Sequence, residues 1–428
     1  MKSQELIIYR SLQHRDLFDD VSELLAAGPD DKPGTMPDSH ACASRLIDLA
    51  VTYGFEGNLW HCFLAFCIAN NENAYSTSCE IVGHIEGTLN ELAAHDFKVI
   101  KELFDYDITR LDEDGEGIWM ALSNYRAANG NSRVFNKRIR DQIVALAVNL
   151  EQAADVEEFK AAVTEFYRRF GVGKFGLNKA FRIEEIDHKV KINPITNVEH
   201  IYLDDIIGYE LQKKKLIDNT EAFIQGRAAN NCLLFGDSGT GKSSSIKAIL
   251  NEYYEQGLRI IEVYKHQFKS LSEVQEQVKD RNYKFIIYMD DLSFEESELE
   301  YKYLKAIIEG GLGKKPGNVL IYATSNRRHL IREKFSDKRE LDDELHNNDT
   351  VQEKLSLVAR FGVTIYYGSP DKKQFNEIVK ELAERHQIEM SEEELYAEAN
   401  RWELMHGGLS GRTASQFITY LLGTRKAE

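Results

Sequence analysis

The spacing of apolar residues divides the chain into three regimes. From Ser3 to about Arg126 the repeat is mostly helical, as in Leu24, Leu25, Leu46, Leu49 and Val51, with breaks at Gly28-Pro29 and Lys32-Pro33-Gly34. A second helical stretch runs from about Arg133 to Phe170. There Asp155 and Glu158 have capping-box spacing, Phe159, Val163, Phe166 and Phe170 share a face, and Gly171 supplies a stop. Residues 171 to 205 carry little periodicity and the turn formers Asn193, Pro194 and Asn197, so they are expected to be a connector.

After Tyr202 short β-rich runs alternate with helical segments. The runs are Cys232 to Phe235, Leu258 to Val263, Phe285 to Met289, Val319 to Ala323 and Val363 to Tyr367; the helical segments include Ser243 to Tyr254 and Leu299 to Ile308. Apolar strands separated by helices predict an α/β unit whose parallel sheet is covered on both faces. From Pro370 onward the pattern is helical again, as expected of a small C-terminal lid. The expected domains are an N-terminal mostly helical unit (1–132), a helical segment and connector (133–200), an α/β domain (201–369) and a helical lid (370–428).

Charge changes this picture in one respect. The formal net charge is −17, from 53 Lys+Arg and 70 Asp+Glu. Residues 1–132 hold 9 basic and 22 acidic side chains (−13), residues 133–190 hold 11 and 9 (+2), and the remainder holds 33 and 39 (−6). The acidity therefore belongs mainly to the N-terminal unit, which is a poor DNA-binding surface. Lys213-Lys214-Lys215 reads as a solvated helix face, and contact with nucleic acid is left open but unsupported. No apolar run approaches the roughly 18 residues of a spanning helix, and no leader pattern opens the sequence. A cytoplasmic protein without a membrane partner is expected. The five cysteines (Cys42, Cys62, Cys67, Cys79, Cys232) form no Cys-x-x-Cys pair; with His61 and His84 they match no standard zinc spacing and are read as reduced core residues.

The chemistry concentrates after the first strand of the α/β region. Gly236-Asp237-Ser238-Gly239-Thr240-Gly241-Lys242-Ser243 is a Walker A string, Gly-x4-Gly-Lys-Ser, set between strand Cys232 to Phe235 and a helical segment that takes in Ser244. Its glycines allow backbone N–H groups to wrap phosphates, and the helix that follows presents its positive end. Lys242 is expected to reach the β and γ phosphates of ATP and the Ser243 hydroxyl to ligate Mg²⁺. Farther on, the strand Lys284 to Met289 delivers Asp290-Asp291, 48 residues beyond Lys242, in the manner of a Walker B motif. Asp290 is the expected Mg²⁺ partner, and Asp291 the group that orients or deprotonates the attacking water.

These motifs, in this order, resemble the AAA+ branch of P-loop ATPases. Residues from about 150 to 425 look more narrowly like a family of uncharacterised bacterial ATP-binding proteins known as a domain of unknown function. The matching stretches are Asp204-Asp205-Ile206-Ile207-Gly208-Tyr209-Glu210, Asn230-Asn231-Cys232-Leu233-Leu234-Phe235-Gly236, Met289-Asp290-Asp291-Leu292-Ser293-Phe294-Glu295 and Arg360-Phe361-Gly362. The resemblance implies an AAA+-type P-loop core with a helical lid, and it implies further roles. Ile206, Ile207 and Gly208 would pack against adenine. Asn326, ending Tyr322-Ala323-Thr324-Ser325-Asn326, resembles a sensor contacting the γ phosphate or the water. Arg360 stands where an arginine finger acts on a neighbour's nucleotide, with Arg327 or Arg328 as alternatives, and Arg412 after Gly411 resembles the lid sensor. Permanent charge and a planar fork suit arginine to both tasks.

One departure is Asp290-Asp291 where many active relatives have Asp-Glu, one methylene longer at the catalytic position. The expected function is an Mg-ATP-dependent ATPase (ATP + water to ADP + phosphate) that remodels or loads a macromolecular partner, a protein docked by the N-terminal unit. A homo-oligomer, either standing or formed on ATP binding, is expected. The alternative is a nucleotide-gated binding module or scaffold with little turnover.

Overall fold

The computed structural model describes residues 4–27, 36–112, 117–127, 136–187, 189–294, 298, 300–309, 315–326, 330 and 357–424. Gly28-Pro29, Lys32-Pro33-Gly34, Glu295, Arg327 and Arg328, singled out above, lie outside these residues. Two compact units divide the chain, Met1–Asn178 and Lys179–Glu428.

Among its described residues the first unit is helical: α1 (Arg15–Ala26), α2 (Ser39–Tyr53), α3 (Leu59–Asn70), α4 (Ala74–Val82), α5 (Thr88–Phe104), α6 (Ile118–Ser123), α7 (Lys137–Glu151), α8 (Val156–Phe170) and α9 (Gly173–Leu177). Helix α3 is apolar around its circumference, and every residue from Leu59 to Ala69 is buried, so it forms the axis on which the others pack. Phe97 and Phe104 of α5 meet Phe159 of α8 at ring distances of 6.0 and 5.3 Å, and Ile139, Ile143 and Leu146 of α7 join the same core. Helices α7 and α8 thus share one core with the helices before them. Asp155 caps α8 by accepting from the Glu158 N–H, while the Glu158 carboxylate takes the Ala154 N–H. Fully buried Asp96 accepts from the N–H groups of Ile7, Ile8 and Tyr9, which ties the first segment to α5. Cys42, Cys62, Cys67 and Cys79 are free and buried here, as is Cys232 in the second unit.

The second unit is built on a seven-stranded sheet: β1 (Ala180–Ile186), β2 (Lys189–Pro194), β3 (Cys232–Gly236), β4 (Leu258–Glu262), β5 (Lys284–Met289), β6 (Val319–Ser325) and β7 (Val363–Tyr367). Their order is β2-β1-β4-β5-β6-β3-β7, and only the β1/β2 pairing is antiparallel. The expected connector therefore contains a hairpin. Its alternation is real (Phe181 and Ile183 in, Arg182 and Glu184 out; Val190 and Ile192 in, Lys189 and Lys191 out) but short, and it is folded back at Asp187, whose φ is +51°. Pro194 closes the edge strand, where a missing donor costs no ladder bond.

Helices α10 (Glu210–Ile224), α11 (Lys242–Tyr253), α12 (Leu271–Val278) and α13 (Glu300–Glu309) accompany the strands. Alternate strand residues, among them Leu234, Ile286, Tyr322 and Tyr367, share a core with Leu216 and Phe223 of α10 and Ile246 and Ile249 of α11. The residues between them, including Leu233, Ile287 and Ile321, are also buried, as period-2 alternation in a two-faced sheet requires. The lid is a three-helix cluster, α14 (Lys372–Arg385), α15 (Glu392–Met405) and α16 (Gly411–Thr424). It closes on its own core of Phe375, Val379, Leu395, Phe417 and Leu421. Asp371 and Gln374 form the reciprocal capping box that starts α14.

Candidate phosphate-binding site

Strand β3 ends at Gly236, where φ is +135° and an added Cβ would lie 2.1 Å from the Tyr367 carbonyl oxygen. Only glycine lets β3 run this close to β7 before the chain turns. The loop that follows is held from within and from the lid. Thr240 Oγ1 donates to the Asp237 carbonyl (2.8 Å), and the Gly239 carbonyl accepts from the Arg412 N–H (3.2 Å). The chain then enters α11 at Lys242, so the first turn of a twelve-residue helix faces the loop.

Lys242 is buried and folds back to donate to the carbonyls of Gly236 (3.1 Å) and Asp237 (2.5 Å). Burial pushes its ammonium below the ordinary lysine range, against the pull of Asp237, Asp291 and Asp290; Arg412 adds to the lowering. Lys242 also lines the cavity that this loop borders, where its ammonium can meet an anion.

Opposite the loop, strand register brings the carboxylates into place. Tyr288 pairs with Tyr322 and Met289 with Ala323, so the next level sets Asp290 beside Thr324. Asp290 Oδ1 accepts from Ser243 Oγ (2.7 Å), from Thr324 Oγ1 (2.5 Å) and from the Asp291 N–H (3.2 Å). Loss of solvent opposes its charge, but the hydroxyls of Thr324 and Ser243 outweigh this and hold the carboxyl below its usual range. Asp291 sits in the left-handed region at φ +48°, and its Oδ1 accepts from Asn326 Nδ2 (2.8 Å). The Tyr288 hydroxyl is buried beside this cluster, and burial followed by the Asp290 charge keeps its phenol protonated.

A cavity of about 620 Å³ opens between these groups. Residues 238–244, Ile206, Ile207, Asp290, Asp291, Asn326 and Arg412 line it, so most of the residues singled out from the sequence converge there. Arg412 Nη1 reaches Ser238 Oγ at 3.5 Å. Gly208, Gly236, Asp237 and Arg360 do not line the cavity. Gly208 (φ +76°) turns the chain into α10, and the Asp237 carboxylate accepts from the N–H (2.8 Å) and Oγ (3.0 Å) of Ser369 at the root of the lid. Arg360 is ion-paired with Glu309 of α13, its Nε donating at 2.8 Å. Sequence reasoning passed over Thr324 and Tyr209, and over Ile378, Leu382 and Ser415 on the lid side. Thr324 was legible only through its register with Asp290.

The donor set fits the groups that the motifs imply. A loop of backbone N–H groups with a buried ammonium suits a polyphosphate, and a hydroxyl beside an ionised carboxylate suits a hard cation with oxygen ligands. Ile206, Ile207, Ile378 and Leu382 offer an apolar wall for a planar base. Among the described residues no cluster of three or more His, Cys, Asp or Glu is placed to hold a metal, and no helix is long and apolar enough to cross a membrane.

Residues 176–425, more than half of the chain, match the family described as "Protein of unknown function (DUF815)". The chain belongs to the DUF815 family. Its second unit is an α/β P-loop core, a mostly parallel sheet with the phosphate loop after β3, one strand in from the β7 edge, and a helical lid after the last strand. No curated protein matches this DUF815 chain. Similar solved structures include a point variant of Thermotoga maritima RuvB (16% identity, TM-score 0.33, covering 52% of this chain and 73% of that one). The same organism's RuvB Holliday junction branch migration motor has 15% identity and TM-score 0.32, with the same coverage. PCH-2 of C. elegans has 16% identity and TM-score 0.35, covering 53% of this chain and 65% of that one. At such scores the DUF815 core stands on its own sheet and loop.

Proposed function

We propose that the second unit binds Mg²⁺–ATP in the 620 Å³ cavity and hydrolyses it, coupling nucleotide state to the remodelling or loading of a macromolecular partner. The observation that carries this reading is the convergence of three groups on one space: the phosphate loop with Lys242, the Ser243–Asp290 pair, and the Asp291–Asn326 pair. Lys242 would leave the carbonyls of Gly236 and Asp237 for the phosphates, a favourable exchange of neutral acceptors for anionic ones. Ser243 and Asp290 would hold magnesium, which when bound neutralises charge on the phosphate oxygens. Asp291 would orient or deprotonate the attacking water, with Asn326 fixing the carboxylate. Arg412 enters the same cavity from the lid and would sense the γ phosphate. Ile206 and Ile207, with Ile378 and Leu382, would hold adenine.

Lys242→Ala is expected to abolish binding of a fluorescent ATP analogue, and Asp291→Asn to keep binding while losing phosphate release. Tight binding by Lys242→Ala would refute the assignment. A second reading, a nucleotide-gated binding module in which ATP orders the lid, is favoured by one observation: Glu309 holds Arg360 outside the cavity. Negligible multiple turnover at high protein concentration, together with ATP-dependent partner affinity, would select it. The acidic N-terminal unit is the proposed docking element for a protein. Homo-oligomers, in which one copy's Arg360 reaches its neighbour's nucleotide, complete the hydrolytic reading.

A further inference from the structure

Thr324 is 1% exposed, at the end of a fully buried strand, yet its hydroxyl makes two polar contacts toward the cavity. It donates to Asp290 Oδ1 and accepts the Asp291 N–H at 2.9 Å. One side chain thereby fixes two successive acidic residues. The donation turns the Asp290 carboxylate so that Oδ1 collects the hydrogen bonds from Thr324, Ser243 and the Asp291 backbone. The second oxygen takes none of these three, and Asp290 lines the cavity together with Ser243. The acceptance holds the Asp291 backbone at φ +48°, a region that a non-glycine residue occupies only when its surroundings demand it. From there Asp291 reaches Asn326. The arrangement depends on register: Asp290 and Thr324 stand two residues beyond the Tyr288–Tyr322 pair, on the face that packs α11, and α11 carries Ser243.

We propose that Thr324 is a positioning residue that presents the Asp290 carboxylate to the metal and, through the Asp291 backbone, sets the second carboxylate against Asn326. This rests on the Mg²⁺–ATP reading above. A hydroxyl is needed because the role requires a donor and an acceptor on one atom; valine matches the shape and supplies neither.

The test titrates a fluorescent, slowly hydrolysed ATP analogue into the full chain, first in EDTA and then across Mg²⁺ concentrations. Thr324→Val is expected to bind in EDTA within about twofold of wild type and to need about tenfold more Mg²⁺ for the metal-linked gain, the loss of one hydrogen bond to a charged group. Thr324→Ser restores the wild-type Mg²⁺ requirement to within about twofold. Thr324→Ala, measured alongside, carries the comparison if the valine variant does not fold. An unchanged Mg²⁺ requirement in the hydroxyl-free variants, or equal weakening with and without metal, overturns the positioning role. A serine variant as impaired as alanine does so too. Absence of any binding by wild type would instead overturn the Mg²⁺–ATP reading, and this inference with it.

Discussion

Gly236→Ala isolates the closest backbone approach in the phosphate-loop region. The new Cβ would lie 2.1 Å from the Tyr367 carbonyl oxygen, 2.7 Å from its carbon and 3.0 Å from its nitrogen. All three are rigid main chain, so relief requires β3 and β7 to part by roughly 1 Å where Gly236 pairs with Tyr367. The Asp237 N–H bond to the Tyr367 carbonyl, 2.9 Å, would lengthen with them. Overpacking costs about 1–3 kcal/mol, φ at +135° in alanine about 1–3 and the weakened hydrogen bond about 1, or about 3–7 in all. For a unit the size of Lys179–Glu428, at about 2–4 °C per kcal/mol, the melting temperature should fall by about 6 °C or more. Thermal unfolding followed by circular dichroism reads this directly. Gly257→Ala is the control: φ is +92° but nothing lies within 4 Å of the added carbon, so only the conformational cost of about 1 kcal/mol remains. Equal shifts in the two variants, or a Gly236→Ala melt within about 2 °C of wild type, would refute the steric argument.

The Asp290 carboxyl titrates below its unfolded value of about 3.9, so its contribution to stability is complete above that pH and is lost as pH falls through the lower folded value. Urea unfolding from neutral to strongly acidic pH should therefore show the gap between wild type and Asp290→Asn narrowing toward acid; a constant gap contradicts the assigned shift. If Arg360 acts on a neighbouring copy, specific ATPase activity should rise with protein concentration, and Arg360→Ala should flatten the curve. Glu309→Gln, which removes the carboxylate charge that holds the guanidinium, should move the rise to lower concentration. Normal turnover by Arg360→Ala would remove it from that role.

How much of this was legible in the sequence varies with the range of the interaction. The loop 236–243 and the strand that precedes it are local events, written in glycine spacing and an apolar run, and the α/β class with its helical lid followed from the same patterns. The hairpin 180–194 is also written locally, in the alternation of Phe181, Ile183, Val190 and Ile192 with charged neighbours, but each run is too short to stand out. What makes it a strand pair is β4, far along the chain at Leu258–Glu262. Thr324 looks like any residue of a strand end until the register of β5 and β6 places it beside Asp290. The Arg360–Glu309 ion pair joins residues 51 apart, with no motif to announce it. The helices 137–151 and 156–170 carried clear periodicity, but which core they enter is decided by partners such as Phe97 and Phe104.

The hairpin also bears on how the second unit can be isolated. Strand β1 covers one flank of β4 in parallel register from Ala180↔Ile260 to Arg182↔Glu262, and the Ile260 N–H reaches the Lys179 carbonyl at 3.0 Å. A fragment begun near residue 201, where the strong α/β pattern starts, would strip that flank. It would leave Leu258, Ile260 and Ile261 on an open edge, ready to pair with other chains. Begun at Lys179, the same core keeps its own guard strand, and the lysines of β2 face outward at the rim to discourage further growth of the sheet.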